Sequence, residues 1–187
     1  MRVVAGKFKG HKLASLDKVN MAARLRPTTD RLRETFFNIL TNGNLGNLVT
    51  DARVLDLFAG TGALGIEAVS RGAHSATLID NGRDASYIIK KNLALLGNPK
   101  NIFFRQIDAT RLPPNPDHPY TLLFLDPPYG TQLCPSVLYS AQLNGWLDPC
   151  AIILCEENAP VLPPTGFQDI DKRKFGGTCL TLLRQGT

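Results

Sequence analysis

No stretch of this 187-residue sequence reaches the roughly 18 consecutive apolar residues of a membrane-spanning helix, and its first residues lack the apolar core of a signal peptide. A soluble, cytoplasmic protein without membrane contact is therefore expected. Cysteine is sparse, and Cys134, Cys150, Cys155 and Cys179 include no C-x-x-C pair. They read as reduced, mostly buried thiols, and no metal site is expected. Internal repeats are absent, so the length suits one large domain with at most a small appendage. Acidic residues are scarce at the start of the chain. Residues 1–33 hold nine Lys or Arg against Asp17 and Asp30, a local charge of +7, so the net +5 leaves −2 for the remainder. A basic appendage on a nearly neutral body points to an anionic partner, nucleic acid above all.

What the sequence does have is Arg53-Val-Leu-Asp-Leu-Phe-Ala-Gly-Thr-Gly-Ala-Leu-Gly65. The near-continuous apolar run suits a strand covered on both faces, as in a parallel sheet. The glycines then form G-x-G-x-x-G, a turn into a helix N-terminus that lets backbone approach a ligand. Asp56 stands just before them. A carboxylate there would repel a pyrophosphate and attract a ligand carrying positive charge, such as S-adenosylmethionine with its ammonium and sulfonium groups.

Taken in order, residues 2–6 and 11–13 read as two short strands around a glycine turn, with Arg2, Lys7, Lys9 and Lys12 forming a basic face for phosphates. Residues 14–25 carry no pattern and read as a linker, so the expected division is 1–25 and 26–187. A helix starting at residues 26–30 with Leu32, Phe36, Ile39 and Leu40 on one face ends by Asn42-Gly43, leaving Arg26, Arg31 and Arg33 at its start. Further helices are expected at 63–71, after Asp84 as a cap, and near 132–143, with strands at 75–79, 102–107, 120–125, 151–155 and 178–184. Asp80 follows Gly60 by the 20 residues at which an acid grips ribose hydroxyls in a βαβ nucleoside site. Asp108 and Asp126 end the next two strands. Asp56, Asp80, Asp108 and Asp126 would thus line one crevice in an α/β fold.

Asp126-Pro127-Pro128-Tyr129 carries its own chemistry. An exocyclic base amine is a poor nucleophile because its lone pair is delocalised into the ring. A carboxylate accepting one N–H and a backbone carbonyl accepting the other favour a pyramidal nitrogen, and two prolines remove competing N–H donors. Tyr129 offers a ring for stacking the base.

The stretches 56–62 and 126–129 together resemble class I S-adenosylmethionine methyltransferases that modify exocyclic amines. Arg2-Val-Val-Ala-Gly-Lys-Phe-Lys-Gly10, Arg26-Pro-Thr-Thr-Asp-Arg-Leu-Arg-Glu-Thr-Phe-Phe-Asn38 and Phe58-Ala-Gly-Thr-Gly-Ala-Leu-Gly-Ile-Glu-Ala-Val-Ser-Arg-Gly72 resemble, in that order, the bacterial RsmD family. The resemblance implies a Rossmann-like sheet of seven mostly parallel strands with helices on both faces, acting as a monomer. It implies methyl transfer from S-adenosylmethionine, without metal, to N2 of a guanine in 16S ribosomal RNA of the small subunit, guanine 966 in the family's usual rRNA numbering. By the same resemblance Asp56, Phe58, Gly60, Gly62, Asp80 and Asp108 hold the cofactor, with Asp80 on its ribose and Asp108 on its adenine amine. Asp126 to Tyr129 would hold the guanine, and Arg2, Lys7, Lys9, Lys12, Arg26 and Arg31 the RNA. A DNA or RNA adenine-N6 methyltransferase shares the Asp-Pro-Pro-Tyr chemistry, but the chain lacks a sizeable sequence-reading domain. A nicotinamide oxidoreductase would leave Asp56 and Asp126 unexplained.

Overall fold

The structure is a computed structural model that describes residues 1–15, 30–128, 130–131 and 133–186. Arg26, Tyr129, the linker from residue 16 and the start of the first helix before Asp30 lie outside the described residues. The body is one seven-stranded sheet in the order β3-β2-β1-β4-β5-β7-β6. Its strands are β1 Arg53–Leu57, β2 Ser75–Ile79, β3 Ile102–Arg105, β4 Tyr120–Leu125, β5 Leu147–Glu157, β6 Phe167–Phe175 and β7 Thr178–Gln185. The first five run parallel, and β7 is antiparallel to both β5 and β6. This is the mostly parallel α/β sheet that the sequence implies.

Helices α1 Asp30–Asn42, α2 Ala63–Ser70 and α3 Arg83–Leu95 pack on one face, and α4 Cys134–Leu143 on the other. Strand alternation sorts the core accordingly. Val54, Leu78, Leu122 and Phe124 meet Phe36, Phe37 and Ile66, while Leu55, Leu57, Leu123 and Ile153 meet Val137 and Leu138. Phe37 and Phe124 lie edge to face at 5.8 Å, an arrangement that adds about 1 kcal/mol to their burial.

Three expectations are corrected. The strand β6 is additional to the strands the sequence pattern predicts: its run FQDIDKRKF is mostly exposed and carries a register shift at Asp169/Asp171, as suits an edge strand protected by charge. Asp84 is not the cap of α3. The Asp80 carboxylate takes the Gly82 N–H at 2.8 Å, so the chain enters the helix from Gly82, and Asp84 lies within the first turn. The two N-terminal strands shorten to an antiparallel pairing of residues 1–3 with 10–13 around the Arg2–Lys12 bridge, in which Val3 donates to the His11 carbonyl and Leu13 to the Met1 carbonyl, both at 3.0 Å, and Gly10 to the Val3 carbonyl at 2.9 Å.

The physical reason for that shortening is where the backbone amides of residues 4–8 go. Val4 and Ala5 donate to the buried Glu67 carboxylate at 2.8 and 2.9 Å, Phe8 donates to the Ser70 hydroxyl at 2.9 Å, and Lys7 to the Ser70 carbonyl at 2.8 Å. Gly6 approaches α2 so closely that a Cβ would stand 1.7 Å from the Ser70 oxygen. The N-terminal segment therefore covers α2, which explains why every residue of that helix is buried. Glu67 also takes the Arg71 Nε–H at 2.7 Å and sits 3.7 Å from Arg33 Nε. Glu67→Gln turns an amide donor toward one of these donors and removes the charge. A loss of about 2 kcal/mol in urea unfolding is expected, with faster hydrogen exchange at Val4 and Ala5. Unchanged exchange at those two amides would show that Glu67 does not hold the segment.

Candidate active site

Because β3, β2, β1 and β4 are adjacent and parallel, their C-terminal ends share one edge of the sheet, where open α/β sheets bind ligands. Asp56, Asp80, Asp108 and Asp126 stand at these four ends, in or just beyond the strands. The structure thus brings the four sequence-predicted carboxylates to a common edge. It also shows how differently each is held.

The glycine loop leaves β1 through a left-handed turn: Phe58 has φ 61°, Gly60 56° and Gly62 76°. A non-glycine residue at such an angle is strained and is kept there only by its surroundings. Ala59 donates to the Ile79 carbonyl at 3.0 Å, and Gly60 to the Asp80 carboxylate at 2.8 Å, which pins the loop onto the end of β2. A Cβ at Gly65 would meet Leu78 at 2.3 Å, so this glycine serves the close packing of α2 on β2.

Asp56 is almost completely buried beneath this loop and accepts the Gly65 N–H at 2.9 Å. Burial pushes its carboxyl up to about 7, against the Gly65 bond and with help from the nearby charge of Asp80. Asp80 is half-buried and spends one bond from each oxygen, to Gly60 and Gly82, which fixes its plane toward the edge. Asp108 caps the 3-10 turn Ala109–Arg111. The hydroxyl and amide of Thr110 hold its carboxyl below the usual range, with Arg111 adding to the effect.

Asp126 follows β4 directly. Its carboxyl lies well above the usual range, first because of burial and then because of Glu156, Asp56, Glu157 and Cys134 around it. Pro127 is buried and Pro128 exposed, and the Pro128 carbonyl accepts the Thr131 hydroxyl at 2.6 Å. Glu156 and Glu157 are buried acids at the end of β5 that the sequence reading passed over. The rule that found the four aspartates, an acid closing an apolar strand, applies to them as well. Among the described residues, no group of three or more His, Cys, Asp or Glu is arranged to hold a metal ion.

The cations proposed for RNA lie elsewhere on the surface. Arg2, Lys7, Lys9, Lys12 and Arg31 are all exposed. Arg2, Lys9 and Arg31 line one groove of about 250 Å³, together with Asp30 and Glu34. Lys7 lies instead 4.8 Å above the Phe8 ring.

Comparison with known proteins bears on the whole arrangement. The family described as Conserved hypothetical protein 95 matches residues 1–184. Ribosomal RNA small subunit methyltransferase D of Escherichia coli K12 is 38% identical over 167 residues, covering 88% of this chain and 78% of that protein. The protein of the same name from Haemophilus influenzae is 32% identical over 182 residues, 94% of this chain and 89% of its own. The solved structure of the Escherichia coli protein yhhF superposes with a TM-score of 0.81 at 34% identity, covering 100% of this chain and 98% of that one. By sequence along nearly its whole length and by the architecture of its sheet, this chain belongs to the RsmD family.

Proposed function

We propose that the protein transfers a methyl group from S-adenosylmethionine to N2 of a guanine in 16S ribosomal RNA, the guanine numbered 966 in the family's usual rRNA numbering. The observation that carries this reading is the set of mutually repelling carboxyls, Asp56, Asp80 and Asp126 with Glu156 and Glu157, gathered around a glycine loop and a Pro-Pro turn. Such a crevice disfavours phosphates and is relieved by a ligand with fixed positive charge. The relatives named as ribosomal RNA methyltransferases support the same choice.

S-adenosylmethionine supplies an electrophilic methyl group on a sulfonium centre, and the donor set fits it. Asp80 would take the ribose hydroxyls on the lone pairs left by Gly60 and Gly82, Asp108 the adenine amine, and Asp56, Phe58, Gly60 and Gly62 would shape the floor for the amino-acid end. Asp126 would accept one N–H of the guanine amine. With the Pro128 carbonyl engaged by Thr131, the second acceptor falls to the carbonyls before it. Moving the methyl group to nitrogen would break its bond to sulfur and leave S-adenosylhomocysteine as a neutral thioether, so the amine would have a proton to shed, and the raised proton affinity of Asp126 would suit it to receive that proton. Tyr129 would stack on the base. Residues 1–25, with Arg2, Lys7, Lys9 and Lys12, would hold RNA phosphates with Arg26 and Arg31, while residues 26–187 carry the chemistry.

The test is transfer of labelled methyl from S-adenosylmethionine to small ribosomal subunits that lack the modification, read by nucleoside mass spectrometry. N2-methylguanine is the expected product. N6-methyladenine, or no transfer, would overturn the assignment. For the cofactor, Asp80→Ala should weaken S-adenosylmethionine binding in calorimetry by about 1–3 kcal/mol through lost charge-assisted bonds to ribose. An unchanged affinity would remove Asp80 from the site.

A further inference from the structure

Asn92 sits on α3 at a position that repeats from Ile88, on the apolar stripe, and is fully buried. An aliphatic side chain would serve packing better, since a buried amide is costly unless all its bonds are made. Here both ends of the amide are paired, through three bonds to two other parts of the chain. The Asn92 carbonyl oxygen accepts the Ala14 N–H at 2.7 Å. Its amide nitrogen donates to the Ala14 carbonyl at 3.3 Å and to the Thr61 carbonyl at 2.9 Å. Since a backbone N–H can only donate, the carboxamide can face Ala14 in only one sense, and that sense directs its nitrogen to Thr61.

Thr61 lies between Gly60 and Gly62, in the loop that Asp80 pins from its other side. Ala14 closes the segment whose residues 4–8 are fixed by Glu67 and Ser70 in the C-terminal half of α2. The basic segment thus follows α2, a rod of about 12 Å, from that half of the helix to the glycine loop at its start. Lys9 and Lys12 face outward from the stretch in between.

We infer that Asn92 is a positioning residue that joins the glycine loop to the N-terminal segment, so that cofactor and RNA bind cooperatively. The inference rests on the function proposed above. RNA gripping Lys9 and Lys12 restrains Ala14, Ala14 holds the Asn92 carboxamide, and the carboxamide holds Thr61 in the loop. Coupling of this kind is reciprocal: a bound cofactor must favour RNA by the same factor.

The experiment measures S-adenosylhomocysteine binding with and without saturating small ribosomal subunits lacking the modification. The wild-type protein should bind it about fivefold or more tightly when subunits are present. Asn92→Ala should bind it more weakly alone and show no gain from subunits. Ala14→Pro removes the N–H given to Asn92, the shorter of the two bonds between these residues, and leaves the bond to Thr61. It should keep the affinity measured without subunits within about twofold, yet lose the gain, and it decides the matter if Asn92→Ala fails to fold. A wild-type protein that binds both partners without mutual gain, or a gain that survives in Ala14→Pro, overturns the coupling alone. Failure of the wild-type protein to bind S-adenosylhomocysteine or the subunits overturns the proposed function and the coupling with it.

Discussion

Asp126→Asn is expected to slow single-turnover methyl transfer to small ribosomal subunits about 100-fold or more, equivalent to roughly 3 kcal/mol of lost transition-state stabilisation. Asparagine keeps the shape of the side chain but offers a donor where the amine needs an acceptor, and it cannot take up the proton that the amine sheds. The effect should fall on the rate, with S-adenosylhomocysteine affinity changed only a fewfold, because the side chain would face the base. The surroundings of Asp126 add a pH signature. Burial and the neighbouring acids raise its carboxyl well above the usual range, so wild-type rates should climb with pH as it gives up its proton. The Asp126→Asn enzyme should lose that limb. Near-normal transfer by the variant, or an unchanged pH limb, would remove Asp126 from the chemistry.

The parts of this molecule legible in the sequence are those where chemistry and periodicity coincide. An apolar strand broken by an acid and a glycine turn has few foldings, so Asp56, Asp80, Asp108 and Asp126 could be placed at strand ends with only the spacing to guide them. The edge strand β6 escaped because charge at its exposed positions, Asp169, Asp171, Lys172 and Arg173, hides its alternation. Glu67 and Asn92 escaped for the opposite reason. A charged or amide residue within a helix reads as solvated, and only the N-terminal segment lying over α2 turns both into buried hubs. That contact joins residues more than 60 apart in sequence, beyond the reach of any local pattern. The basic character of the N-terminal segment was legible from charge alone, whereas its attachment to the glycine loop required three dimensions.

Asp56→Asn should stabilise the fold while impairing cofactor binding, and pH separates the two effects. The folded-state carboxyl of Asp56 titrates at about 7 against an ordinary value of 3.8, so folding takes up a proton between these limits. A raised acid contributes its full stability below pH 3.8, and that contribution is lost as pH rises through about 7. A difference of about three units corresponds to a cost of order 4 kcal/mol above pH 7, which asparagine avoids while still accepting the Gly65 N–H. The variant should therefore match the wild type in urea unfolding near pH 4, gain steadily toward pH 7, and keep a constant advantage above it. The same carboxylate is what would draw the ammonium of S-adenosylmethionine. Wild-type affinity for the cofactor should accordingly rise between pH 6 and 8, with a proton released on binding that calorimetry in buffers of different ionisation enthalpy detects. Asp56→Asn should abolish that pH dependence. A variant no more stable than wild type at pH 8 would mean that Asp56 is not buried as a charge, and an unchanged pH dependence of binding would assign the proton to Asp126 or its β5 neighbours instead.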